Sequence, residues 1–216
     1  MRIVILTIGS RGDVQPYVAL GRTLQEAGHS VRVATHEPFR ELIESTGLAF
    51  ASVEGNPREL LETEAGQAWL RSNRNPIAFV RGMGRLMGPL LDQGLADSWR
   101  ATDGAEVIIY SVLAFAGYHI AEKRGIPSCA AFLQPGTPTK HFPSILAPTL
   151  RLGSTVNLWS HRAADYLMWW PFRERVNRWR EETLELPAHP WSPFAGLLRR
   201  GFPVLYGFSR HVIPQP

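Results

Sequence analysis

Apolar residues run almost without interruption from Ile3 to Ile8, the pattern of a strand covered on both faces. The period then lengthens. Val14, Tyr17, Val18, Leu24 and Ala27 share one side of a helix predicted from about Gln15 to Ala27. Pro16 suits its first turn, Gly28 its stop, and Gly21 would let it lie close on a sheet. The pattern next gives a second strand (29–35), a short helix (38–45) and a third strand (48–53).

After a mostly helical stretch over 57–100 the alternation resumes. It predicts a strand at 106–110, a helix at 114–124 and a strand at 127–133, with Gly125 and Pro127 marking the last join. A proline-rich segment over 134–148 is too long for a mere connector and reads as a binding surface. Two helical pieces broken at Pro171 and a sixth strand at 203–208 complete the chain. Strands alternating with helices predict an α/β fold, a Rossmann-like parallel sheet with helices on both faces.

Composition narrows this picture modestly. A chain of 216 residues suits one sizeable domain, and its single Cys129 excludes an internal disulfide. Residues 1–100 balance eleven arginines against eleven acids, so the net charge of +4 comes from the second half. No Lys/Arg run or motif of nucleic-acid binding accompanies it, so nucleic acid is not an expected partner. A solvated basic face is one reading of the excess, and peripheral contact with a membrane surface is the other. The apolar run 107–118 is too short to span a bilayer, and the apolar start is too short for a signal peptide, so a cytoplasmic location is expected. Trp159, Trp169, Trp170 and Trp179 with Arg162, Arg173, Arg175, Arg178 and Arg180 make 156–185 unusual. Interfacial membrane helices carry that pairing, and so do pocket walls and helices packed on a sheet.

The candidate chemistry lies at Gly9-Ser10-Arg11-Gly12-Asp13, where the first strand turns into the first helix. In an open parallel sheet ligands collect outside the carboxyl ends of the strands, and a helix start there offers free N–H groups. The turn lacks the Gly-Lys-Ser/Thr of a phosphate-binding loop. Gly9 and Gly12 make a poor dinucleotide fingerprint, although Glu37 stands at about the distance of a ribose contact. Arg11-Gly12-Asp13 matches an adhesion tripeptide by coincidence. Asp13 is either a helix cap or a general base, and Ser10 either a turn former or a ligand contact. His29 and His36 lack a suitably spaced second metal ligand, so no metal site is expected. His119 reads as a structural histidine.

The run from Ile5 to Leu20, ILTIGSRGDVQPYVAL, resembles the opening of the sterol glucosyltransferase and antibiotic-aglycone glycosyltransferase family. The resemblance recurs at Ala116–Lys123 with Gly125-Ile126-Pro127, at Gln134-Pro135 through Pro143, and at Leu205–Ser209. It implies the N-terminal half of a GT-B enzyme, two Rossmann-like domains facing across a cleft. The N-terminal domain receives a hydrophobic alcohol such as a sterol or other lipid-like acceptor. The C-terminal domain holds a nucleotide-sugar, UDP- or dTDP-hexose, and transfer inverts the anomeric carbon without a protein-bound metal. Related enzymes place a histidine where Asp13 stands here, so the resemblance implies Asp13 as catalytic base. It further implies substrate contacts from Ser10, Arg11, Gly12, Gln134, Pro135, Thr137, His141 and Phe142.

Residues 1–210 are expected to form the acceptor-binding domain, with 211–216 opening a linker. Nothing in the chain resembles the family's diphosphate-binding motif, so no cofactor is expected on this chain, and a donor-binding domain is the expected partner in cis or in trans. Two alternatives stay open on sequence: a non-catalytic module that grips a hydrophobic ligand or a protein, and an NAD(P) oxidoreductase.

Overall fold

A computed structural model describes residues 1–55, 57–72, 75–144, 146–147, 153–189 and 201–213. Its strands are β1 (Arg2–Leu6), β2 (Ser30–Thr35), β3 (Ala49–Ser52), β4 (Val107–Tyr110), β5 (Ser128–Phe132) and β6 (Val204–Tyr206). Its helices are α1 (Arg11–Glu26), α2 (Arg40–Glu44), α3 (Pro57–Glu62), α4 (Glu64–Arg71), α5 (Pro76–Ala101), α6 (Ala116–Arg124), α7 (Ser154–Trp169) and α8 (Arg173–Glu182). The strands form one parallel sheet in the order β3-β2-β1-β4-β5-β6, the Rossmann-like architecture expected of the alternation.

The unbroken apolar run of β1 feeds two cores. Ile3 and Ile5 pack with Val14, Tyr17 and Val18 of α1 and with Ile43 of α2. Val4 and Leu6 point the other way, into a core with Leu95 of α5, Ile120 of α6 and Val176 and Trp179 of α8. Helices therefore cover both faces, and β1 needs no polar side. Gly21 of α1 does allow close approach, since a Cβ there would stand 3.0 Å from Leu48 Cδ1.

The first helix begins four residues earlier than its apolar spacing indicates. Ser10, in extended backbone, caps it, and Asp13 at the third helical position completes a capping box. The Pro16 ring therefore lies inside α1 rather than at its opening, and it leaves the Gly12 carbonyl without the usual helical N–H.

The helical stretch after β3 holds one long element, α5, of 26 residues. Asp97 near its end accepts the Glu54 N–H at 2.9 Å, just past the carboxyl end of β3. The first half of α5 therefore runs on beyond that point, its start at Pro76 roughly 32 Å along the helix from Asp97 at 1.5 Å per residue. It meets the corner between α7 and α8. A Cβ on Gly84 would come within 2.6 Å of Pro171 Cβ, so a glycine is needed for that contact. The break at Pro171 is as expected, and it turns the chain down from α7 into α8, which packs on α5.

Candidate functional site at the carboxyl edge

Three connections emerge together at the carboxyl edge: the turn after β1, the turn after β4 and the loop after β5. Backbone pairing aligns Leu6 with Tyr110 and Tyr110 with Ala130. At about 4.8 Å per strand, the loop after β5 starts roughly 10 Å from the turn that carries Asp13.

At that turn, Asp13 Oδ2 accepts two hydrogen bonds, from Ser10 N at 2.8 Å and from Ser10 Oγ at 2.9 Å. Thr7 Oγ1 donates to the Asp13 carbonyl at 2.7 Å, tying the same residue to the end of β1. Gly9 makes room for this arrangement. Its φ is +141°, and a Cβ there would lie 2.5 Å from Asp13 Oδ2. One carboxylate oxygen is thus fixed by the turn, while no hydrogen bond reaches Oδ1 among the described residues. Capping and a second role on the other oxygen are compatible here, although the sequence presents them as alternatives.

The other residues of the turn are less committed to the fold. Gly12 is exposed, and a Cβ would meet only Ser10 Oγ at 3.7 Å, so packing does not require a glycine there. Arg11 is exposed and lies back along α1, where its Nε donates to Gln15 Oε1 at 3.2 Å. Tyr17, two turns along the buried face, donates its hydroxyl to the Ala131 carbonyl at 2.5 Å and so fastens α1 to β5. Burial, with the Asp13 charge adding to it, pushes the Tyr17 phenol above its ordinary range, so it stays a donor.

The loop after β5 is held from two sides. The Thr137 and Tyr206 hydroxyls are hydrogen-bonded to each other, which anchors the loop to β6. Against α7, Asn157 Nδ2 donates to the Lys140 carbonyl at 3.0 Å and Ser144 N donates to Ser160 Oγ at 2.9 Å. His161 Nε2 lies 3.0 Å from the Phe142 carbonyl, which assigns its proton to Nε2, and the two rings meet edge to face. Of the residues expected to contact substrate, Thr137 and Phe142 are therefore engaged in fixing the loop. Gln134 and His141 are exposed, and Pro135 is half-buried. Ile145 and 148–150 of this segment lie outside the described residues.

Asp165 carries no distinguishing signal in the sequence. It lies one turn beyond His161 on the inner side of α7, its Oδ2 is buried, and among the described residues that oxygen has no hydrogen-bond partner. Burial raises its carboxyl to about 7. A raised folded value means that the unfolded chain ionises first, so this group costs stability increasingly from about pH 4 to pH 7. Asp165→Asn should therefore stabilise the domain above neutrality by on the order of 2–4 kcal/mol, an advantage that vanishes in acid. Denaturant melts of both proteins across pH check this. An advantage that is independent of pH would show that the Asp165 carboxyl is ionised in the fold.

His119 is buried, as expected of a structural histidine, but only half of its ring is satisfied. Nδ1 lies 2.6 Å from Arg180 Nη1, and Nε2 has no partner among the described residues. At the opposite sheet edge, a polar cleft of about 540 Å³ runs between β3 and α5. Its Asp97 is already occupied by Glu54 N, Gln93 and Arg100, which makes that cleft a structural feature. Among the described residues no helix is long and apolar enough to cross a membrane.

Comparison with known proteins gives the chain a family. The curated relatives it matches include the sterol 3-beta-glucosyltransferases of Glomerella lagenarium, 38% identical over 100% of this chain, and of Neurospora crassa, 39% identical over 100%. That of Pichia angusta is 37% identical over 99% of the chain. The chain spans 14–17% of the length of these three proteins. Among solved structures, the glycosyltransferase SsfS6 of Streptomyces sp. SF2575 superposes with a TM-score of 0.52 at 20% identity, over 88% of this chain and 48% of that one, a likeness of fold. Residues 3–143 match the glycosyltransferase family 28 N-terminal domain, and the chain belongs to that family.

Proposed function

We propose that this domain is the acceptor side of an inverting glycosyl transfer to a hydroxyl of a sterol or other lipid-like alcohol, with Asp13 as the general base. The donor is a nucleotide-sugar, a UDP- or dTDP-hexose, carried by a second domain. The single observation that carries the reading is the Asp13 carboxylate, anchored through Oδ2 at the carboxyl edge of the sheet with Oδ1 unbonded among the described residues. The names of the curated relatives, which share the whole length of this chain, support the choice of acceptor.

An alcohol is a weak nucleophile until its proton begins to leave. The acceptor O–H proton passes to Asp13 Oδ1 while the oxygen's electron pair forms the bond to the anomeric carbon. The bond from that carbon to the diphosphate oxygen breaks, and its pair leaves on the diphosphate. Attack from the face opposite the leaving group inverts the centre. Ser10 holds the base through two hydrogen bonds, so its orientation is set before the acceptor arrives. Arg11, Gly12, Gln134, Pro135, Thr137, His141 and Phe142 are assigned to the surrounding acceptor surface. An apolar pocket with few polar groups suits a ligand of this kind.

Calorimetry on the chain tests the division of labour between the two domains. A water-soluble sterol analogue is expected to bind, and UDP-glucose and dTDP-glucose are not. Nucleotide-sugar binding without sterol binding would reverse the assignment, and NAD(P) binding would replace it.

A further inference from the structure

The tryptophans and arginines of 156–185 divide into two populations. Trp169, Trp179 and Arg180 point inward and are buried. Trp159 and Trp170 do the opposite, at 60% and 55% exposure, and Val156 and Tyr166 are each 43% exposed. Positions 156, 159, 163, 166 and 170 recur at helical spacing, so they form one outward stripe on α7. At the C-terminal end of the stripe the Tyr166 and Trp170 rings lie 5.6 Å apart. Arginines are interleaved with it. Arg162 Cζ sits 5.0 Å from the Trp159 ring centre, and Arg173 Cζ sits 5.9 Å from that of Trp170.

We propose that this face of α7 is a docking surface for an anionic lipid bilayer. Indole and phenol rings favour the boundary between headgroups and acyl chains, where an apolar body and a polar tip are both satisfied. A guanidinium stacked on such a ring keeps its N–H edge free for a lipid phosphate. Charge points to the same occupant. The acid of α7, Asp165, is on the inner side, and the neighbouring Glu174 is paired with Arg178 at 3.4 Å. A second copy fits poorly, because a two-fold pairing of this face brings the same two arginines, Arg162 and Arg173, in from both copies with no acid of α7 on that side.

The opposite side of α7 holds the loop over 140–144. A helix seated on the bilayer by its outer stripe thus keeps the loop after β5 one helix diameter from the lipid, roughly 10 Å. The surface stands on its own geometry. It gives the proposed site access to a membrane-borne acceptor, but it does not depend on that reading.

Flotation with sterol-free vesicles tests the surface apart from the acceptor site. The chain is expected to bind vesicles of equal parts phosphatidylcholine and phosphatidylserine better than phosphatidylcholine alone, and salt should weaken the difference. Trp159→Ser with Trp170→Ser should lower vesicle binding on the order of tenfold. Arg162→Gln with Arg173→Gln should reduce binding to the phosphatidylcholine level. Unaltered binding by the tryptophan pair, or no binding of the parent to either vesicle, overturns the proposal. So does self-association of the parent in gel filtration that the tryptophan pair abolishes, because a second copy then covers the face. If a variant fails to show the parent's unfolding transition, quenching of the parent's tryptophan fluorescence by brominated phosphatidylcholine decides. Quenching is expected, and its absence overturns the proposal.

Discussion

Asp13→Asn, in an enzyme where this domain is joined to its donor domain, should lower turnover on the order of 100-fold or more at saturating acceptor. The substitution is chosen for what it keeps. Its amide oxygen can accept the Ser10 N–H that now goes to Oδ2, so the capping box and the start of α1 survive. What it removes is the capacity to take a proton. Asp13→Ala would remove both and confuse cap with base, since losing a cap alone costs about 1 kcal/mol of stability. Steady-state rates and a denaturant melt on the Asn variant separate the two roles. Near-normal turnover with an unchanged melt would leave Asp13 a cap and nothing more.

The largest loss of stability is expected at Arg180. Its side chain is almost fully buried, yet it donates from Nη1 to Glu122 Oε2 at 2.8 Å, lies 2.6 Å from His119 Nδ1 and donates from Nε to the Pro187 carbonyl at 3.0 Å. These bonds fasten α8 and the segment after it to α6. Arg180→Met fills similar space but leaves the His119 nitrogen unpaired in the core and releases the carbonyl of the exposed Pro187 after α8. The expected loss is about 3 kcal/mol, read as a lower denaturant midpoint at unchanged slope. A shift well under 1 kcal/mol would mean that water or a neighbouring group replaces the guanidinium.

The same cluster sets a pH dependence. Burial, then Arg180 and His189, hold His119 well below the ordinary histidine range, so it stays neutral in the fold. The unfolded chain takes up the proton below about pH 6.5, and stability present above that pH is lost as pH falls.

Much of the fold was legible because β1 is apolar on both faces, a pattern that only a doubly covered strand satisfies. The six strands, the break at Pro171 and the close approach of Gly21 all followed from local rules. The start of α1 did not. Apolar spacing marks only the buried face, whereas the helix begins with Ser10, Arg11 and Gly12, which are exposed. The length of α5 was obscured by Gly82, Gly84 and Gly88 and by Pro89, residues that weaken a helix in isolation. Of these, Gly84 is needed for contact with Pro171, a tertiary reason that no local pattern carries. At the candidate site, the turn from Gly9 to Asp13 was readable because its residue types are unusual after a strand. Asp165 was not, because a single acid in a helix reads as solvated until burial is known. The division of the tryptophans into inward and outward sets likewise depends on how α7 packs.

The most direct measurement is the crystal structure of this domain with a sterol bound. The acceptor hydroxyl is expected within hydrogen-bond reach of Asp13 Oδ1, about 2.6–3.2 Å, with the ring system lying between the first turn of α1 and the loop after β5. A sterol bound on the other face of the sheet, or in the β3 cleft with its hydroxyl remote from Asp13, would contradict the assignment of both the base and the acceptor surface.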